Sequence, residues 1–169
     1  MSLILNLRHL QAADEPNRLQ KSLNLDELLS SRRDVKPLGN FQTDLTAEDQ
    51  SGVISVHGSC TGDAEFVCSR CLTEYMETMN VAIEHVFSKD QEIVETDREE
   101  RIELVSEDKL DLQPYVEEDI LLALPFVLLC KADCKGLCSQ CGQNFNEGTC
   151  NCETETIDPR LEKLKSFFK

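Results

Sequence analysis

Over residues 75–87 apolar and polar side chains alternate with a period of two. Tyr75, Met79, Val81, Ile83 and Phe87 fall on one face, which predicts a half-buried β-strand. The same character extends back to residue 41. A strand near 40–48, a turn at Ser51-Gly52, a strand over 53–57, a second turn at Thr61-Gly62-Asp63 and a strand over 64–67 are expected in that order, which makes an antiparallel meander. Residues 1–8 alternate loosely and predict a first strand. Residues 11–21 are polar and predict irregular chain. The apolar spacing of residues 23–29 predicts two helical turns ahead of the basic pair Arg32-Arg33.

After an acidic connection over 88–108, with a short strand expected at 101–105, the period changes. Leu112, Tyr115, Val116, Ile120, Ala123 and Leu124 recur at helical spacing. Asp111 is the expected N-cap, Pro114 suits the first turn, Glu117 and Glu118 favour the positive end of the helix dipole, and Pro125 ends the helix. Residues 126–129 predict an extended apolar run, and residues 161–168 a small amphipathic helix. The fold class is therefore α+β: an antiparallel β meander or sheet with one main helix packed on it, followed by a small C-terminal cysteine segment resembling a zinc knuckle. Residues 1–130 are expected to form the core domain, and residues 131–169 a metal-binding segment with a short C-terminal helix.

Composition narrows the function. Hydrophobic residues make up 40% of the 169 positions, but Trp is absent and aromatics are 5%, so the core must come mainly from Leu, Val and Ile. No stretch approaches the roughly 20 apolar residues of a membrane span, and no secretory leader is evident, so a cytoplasmic location is expected. The net charge is −15, and residues 90–119 alone carry 13 acidic against 3 basic side chains. Such a chain is poorly suited to clamp nucleic-acid phosphates and is better matched to a basic protein. Direct RNA contact stays open only through a local basic patch from Arg8, Arg32, Arg33, Lys36 and Arg70.

Nine cysteines carry the chemistry. Cys138-Ser-Gln-Cys141-Gly142 has the form of a knuckle, in which two intervening residues let both sulfurs face one metal and Gly142 permits the tight turn. Cys150 and Cys152 can close that tetrahedron. Upstream, Cys68-Ser-Arg-Cys71 needs two more ligands, and Cys130 and Cys134 are the unassigned pair. Two structural Zn2+ ions are expected on this division. A rival division joins Cys68 and Cys71 to Cys138 and Cys141 in a single site. Disulfides compete as a reading, but are disfavoured in a reducing compartment. A catalytic thiol pair also competes, but lacks a strand-to-helix setting. Cys60, alone, is expected to be a buried apolar residue. The three histidines form no triad spacing, and no phosphate loop, G-x-S-x-G or H-E-x-x-H occurs, so an enzyme is not expected.

Taken in order, Cys68-Ser-Arg-Cys71-Leu72, Glu118-Asp-Ile-Leu-Leu-Ala-Leu-Pro125, Cys134-Lys-Gly-Leu-Cys138-Ser-Gln-Cys141-Gly142, Asn144-Phe-Asn146 and Cys150-Asn-Cys152 resemble the YceD family, named for large ribosomal RNA subunit accumulation proteins. The resemblance covers nearly the whole chain. It implies a bacterial and plastid family needed for normal accumulation of large-subunit ribosomal RNA, with no enzymatic activity. Some members keep the upstream pair without the distal segment, which implies two separable sites. The expected partner is a basic ribosomal protein or a pre-ribosomal large-subunit particle, with no membrane and no small-molecule substrate. A redox-switched zinc-binding holdase and a general protein-interaction module are the alternatives.

Overall fold

The structure is a computed structural model that describes residues 3–12, 15–96 and 102–152. The helix expected over 161–168 lies outside the described residues. The chain is mixed α+β with a mostly antiparallel sheet. In order come β1 (Ile4–Asn6), α1 (Leu7–Ala12), β2 (Asn17–Leu23), α2 (Asp26–Leu29), β3 (Val35–Pro37), β4 (Phe41–Gln50), β5 (Val53–Val67), β6 (Glu74–Ser88), α3 (Gln91–Thr96), β7 (Glu103–Leu104), β8 (Lys109–Asp111) and α4 (Gln113–Ala123). The main sheet runs β2-β4-β5-β6-β7, with β3 also paired to β5, while β1 and β8 form a separate two-stranded pair.

The β4–β5 hairpin is built as its turn sequence demands. Ser51 and Gly52 both have positive φ, 58° and 88°, as a two-residue turn matched to strand twist requires. Asp49 accepts the Gly52 N–H at 3.1 Å. Beyond the hairpin the structure departs from expectation. Thr61-Gly62-Asp63 is no turn, because β5 continues through it for 15 residues, paired first with β4 and then with β3. Gly62 is small for a different reason: a Cβ there would lie 2.4 Å from Cγ of the fully buried Phe41 ring. Residues 17–21, within the stretch expected to be irregular, lie in edge strand β2, which is in register with β4 from Asn17↔Ala47 to Leu23↔Phe41. Its polar composition reflects an exposed edge, where every second residue faces water. The two turns expected over 23–29 shrink to the single turn of α2.

Helix α4 begins one residue later than an Asp111 cap would place it. Leu112 is the N-cap, and Asp111, the last residue of β8, instead accepts the Gln113 N–H at 3.1 Å. The helix stops at Leu124, held extended by the following proline. Val116 and Ile120 are buried. Tyr115 meets Phe87 of β6 edge-on, ring centroids 5.0 Å apart, which packs the helix on the sheet. Residues 126 and 127 bend rather than extend, correcting the expected apolar run. Among the described residues no helix is long and apolar enough to cross a membrane.

The chain falls into two compact units. The first comprises Met1–Phe66 with Tyr75–Phe126, and the second Val67–Glu74 with Val127–Lys169. The first has an apolar core that includes Leu5, Leu45, Ile54, Phe41 and Phe87. In the second, among the described residues, Leu128 is the one buried hydrocarbon side chain; the other buried side chains are Cys68, Cys71, Cys134 and Cys138.

Candidate metal centres

The second unit starts with a tight turn. Cys68 accepts the Leu72 N–H at 2.9 Å and donates its own N–H to Thr73 O at 3.0 Å, closing a loop around Ser69 and Arg70. The distal segment repeats that geometry: Cys138 accepts the Gly142 N–H at 2.9 Å and donates to Gln143 O at 2.9 Å. In both turns the residue after the second cysteine is left-handed, Gly142 at φ 75° and Leu72 at φ 57°. The two C-x-x-C motifs are therefore one structural unit used twice, and Leu72 stands where glycine fits without strain.

The eight paired cysteines gather into two foursomes. Cys68, Cys71, Cys130 and Cys134 form one, and Cys138, Cys141, Cys150 and Cys152 the other, with the four sulfurs of each within 4.8 Å of one another. The grouping of Cys68 and Cys71 with Cys138 and Cys141 is not the one the sulfurs form. In the proximal foursome Cys68 Sγ lies 3.7 Å from Cys134 Sγ, and Cys71 Sγ 3.5 Å from Cys130 Sγ. Metal–sulfur bonds of about 2.3 Å in a tetrahedron put sulfurs about 3.8 Å apart, so the donors fit a single ion. A disulfide needs sulfurs about 2 Å apart, and all nine cysteines are free.

Hydrogen bonds from the Ser69-Arg70 turn bring the proximal cysteines together. The Ser69 N–H donates to Leu128 O at 2.8 Å, and the Leu128 N–H returns to Ser69 Oγ at 3.2 Å. Arg70 Nη1 reaches Cys134 O at 2.9 Å. Asn146, from the loop of the distal foursome, holds the fourth cysteine, Cys134. Its Nδ2 lies 3.3 Å from Cys134 Sγ, while its Oδ1 accepts the Lys135 N–H at 3.0 Å. Asn146 was visible in the sequence as part of Asn144-Phe-Asn146, but no spacing rule gives it this role.

In each site the electrostatics favour thiolate at one sulfur and oppose it at another. Burial pushes the Cys68 thiol up, but N–H groups of Cys130, Cys71 and Arg70 directed at its sulfur outweigh it and bring it down to about 6. The N–H groups of Cys141 and Gln140 hold Cys138 at about 6. In each site a neighbour moves the opposite way. Burial, then the sulfurs of Cys71, Cys68 and Cys134, push Cys130 up to about 12. The Cys141 sulfur, with burial and Cys150, pushes Cys152 up to about 12. Four crowded sulfurs cannot all carry charge unaided, and a divalent cation at their centre removes that obstacle.

Cys60 stays outside both sites. It is buried in β5, 3.3 Å from Thr43 Oγ1, and burial raises its thiol. The histidines also lie elsewhere, although sequence reasoning missed one pairing: His85 Nε2 of β6 lies 2.8 Å from Asp119 Oδ2 of α4, both largely buried.

Comparison with known proteins places the chain in a family. The family model described as Large ribosomal RNA subunit accumulation protein YceD matches residues 56–168. An uncharacterized protein of Mycobacterium tuberculosis is 33% identical over 122 residues, covering 72% of this chain and 58% of the relative. The uncharacterized protein YlbN of Bacillus subtilis is 24% identical over 152 residues, covering 88% and 86%. The maize protein named Large ribosomal RNA subunit accumulation protein YCED homolog 1, chloroplastic, is 33% identical over 82 residues, covering 47% and 27%. The chain thus spans 58% of the length of the Mycobacterium tuberculosis and Mycobacterium bovis relatives it matches. No solved structure matches it. With the match spanning both cysteine foursomes, the chain belongs to the YceD family of large ribosomal RNA subunit accumulation proteins.

Proposed function

We propose that this chain is a noncatalytic ribosome-biogenesis factor that supports accumulation of large-subunit ribosomal RNA, with two structural zinc ions holding its cysteine-rich unit. The family match carries the first half, because both its description and the maize relative's name refer to that role. The donor set supports the second. All-sulfur tetrahedral sites select zinc or iron–sulfur chemistry, and sulfurs 3.5 and 3.7 Å apart suit one ion rather than a cluster. A unit in which Leu128 is the one buried hydrocarbon side chain among the described residues is well served by such a staple. Structural zinc contributes about 10–16 kcal/mol at neutral pH in small peptides, far more than one leucine.

The cysteines are then scaffold, and the work is done by the surface they and the sheet present. The net charge of −15 favours a basic ribosomal protein, free or within a pre-ribosomal large-subunit particle, over bare RNA. The test is a deletion strain followed by ribosome profiles and ribosomal RNA quantification, complemented with wild type, Cys68→Ser and Cys138→Ser, beside metal analysis of each purified protein. Loss of large-subunit RNA restored by wild type is expected, with two zinc ions per wild-type chain and one in each variant. Unchanged RNA on deletion sinks the biogenesis reading, and one ion falling to none in both variants sinks the two-site reading.

A further inference from the structure

One surface of the first unit combines features that the cysteines do not account for. Helix α4 leaves Leu121 and Leu122 42% and 75% exposed, and Phe126, just past the helix, is 100% exposed. Isolated exposed leucines need no explanation, but three large apolar side chains left exposed within six positions concentrate apolar surface at one end of the helix. Leu122 also lines a cleft of about 710 Å³ between the helix and the sheet, together with Glu84 of β6, Glu103 of β7, and Glu118 and Asp119 of α4. Among the described residues no Lys or Arg lines that cleft. The His85–Asp119 pair at its wall fixes the helix face against β6.

We infer that the Leu121-Leu122-Phe126 face, with the carboxylates of Glu84, Glu103 and Glu118 beside it, docks a basic amphipathic segment of a protein partner. The chemistry selects that occupant on two counts. An apolar helix face takes the leucine or phenylalanine stripe of an amphipathic segment. A rim of carboxylates takes the Lys and Arg that flank such a stripe, and steers it in. The same carboxylates repel RNA phosphates. The inference rests on the biogenesis reading for the identity of the partner, a basic ribosomal protein, but its surface stands on geometry and charge alone.

The test uses the full-length, metal-loaded chain and fluorescence anisotropy. The probe is a labelled synthetic peptide with Leu at helical spacing and Lys or Arg elsewhere, compared with a scrambled peptide of the same composition and a single-stranded RNA. The amphipathic peptide should bind at least about tenfold tighter than the scrambled one. Leu122→Ser with Phe126→Ser, and separately Glu84→Lys with Glu118→Lys, should each weaken it by about tenfold or more, whereas Glu27→Lys on α2 should leave it unchanged. All these side chains are exposed, so metal content and melting should match wild type. Equal binding of both peptides, wild-type affinity in the two double variants, or displacement of the peptide by RNA would overturn the inference. So would a change of sedimentation in the Leu122→Ser, Phe126→Ser chain, which assigns the face to a second copy. In the deletion strain the two readings separate: unchanged RNA on deletion fails the biogenesis reading, whereas full rescue by that double variant fails the docking surface alone.

Discussion

Asn146 reaches from the loop of the distal foursome to a sulfur of the proximal one, and its removal should be felt in the proximal site only. Its Nδ2 is 3.3 Å from Cys134 Sγ and 2.9 Å from Asn144 Oδ1, so the N–H groups are divided between a ligand sulfur and a neighbouring amide. Its Oδ1 accepts the Lys135 N–H and so fixes the backbone beside the ligand. A hydrogen bond to a charged group contributes roughly 1.5–3 kcal/mol, and outer partners of metal ligands change affinity by about 10–100-fold, or about 1.4–2.7 kcal/mol. In a Cys138→Ser background, which isolates the proximal site, Asn146→Ala should therefore weaken metal binding by about 10–100-fold. Asn146→Asp keeps the acceptor for Lys135 but sets a carboxylate against the thiolate, so it should weaken binding at least as much. Cobalt substitution reads this directly, since sulfur-to-cobalt charge-transfer bands report the occupied site during a chelator titration. Wild-type affinity in Asn146→Asp would refute the N–H to sulfur bond as the source, leaving the Lys135 contact. An equal effect in a Cys68→Ser background, where the distal site stands alone, would refute the assignment to the proximal site.

Gly62→Ala puts a methyl group 2.4 Å from the buried Phe41 ring, so it should lower stability by roughly 1–3 kcal/mol in urea unfolding, with partial recovery when Phe41→Leu is added. Leu72→Gly relieves a left-handed leucine at about 1–2 kcal/mol against a backbone entropy loss of about 0.5–1, so it should raise the melting temperature slightly, whereas Gly142→Ala should lower it. Arg18, then Gln20, hold the Asp44 carboxyl down at about 2, below its unfolded value near 3.9, so its contribution is present above about pH 4 and lost as pH falls towards 2. Asp44→Asn should flatten the acid limb of the urea midpoint over that window, and an unchanged limb would show that the bond across β2 and β4 is idle. Cys141 is exposed while Cys68, Cys71 and Cys134 are buried, so mild peroxide should release the distal ion first by metal-release assay; equal release rates would count against the distal site as the more accessible one.

Local chemistry in this chain could be read from local sequence, and long-range meetings could not. The period-two face of residues 75–87 became β6, and the Ser51-Gly52 dipeptide became the hairpin turn, because both signals are made within a few residues. The C-x-x-C turns were legible for the same reason. The division of the cysteines was legible only by elimination, through the unassigned Cys130 and Cys134, and spacing could not exclude the shared site because it says nothing of the Ser69–Leu128 bonds that carry Cys130 and Cys134 to Cys68 and Cys71. Gly62 misled because a glycine required by a ring above it looks, in sequence, like a glycine required by a turn. Edge strand β2 was hidden by its polar outer face, and the His85–Asp119 pair by the 34 positions between its partners.

The discontinuous second unit has a consequence for synthesis. Cys71 and Cys130 are 59 positions apart, and Cys68 and Cys134 are 66 apart, whereas the distal foursome spans only residues 138–152. At a translation rate of about 5–20 residues per second, the first knuckle leaves the ribosome roughly 3–12 s before its partners exist. During that interval its two thiolates can hold an ion only loosely, and the strands and helix emerging behind them must fold before the loop can close. An ion at the proximal foursome would then be a seal set only after the strands and helix between its two halves have emerged, and a nascent chain lacking it would keep that clasp open.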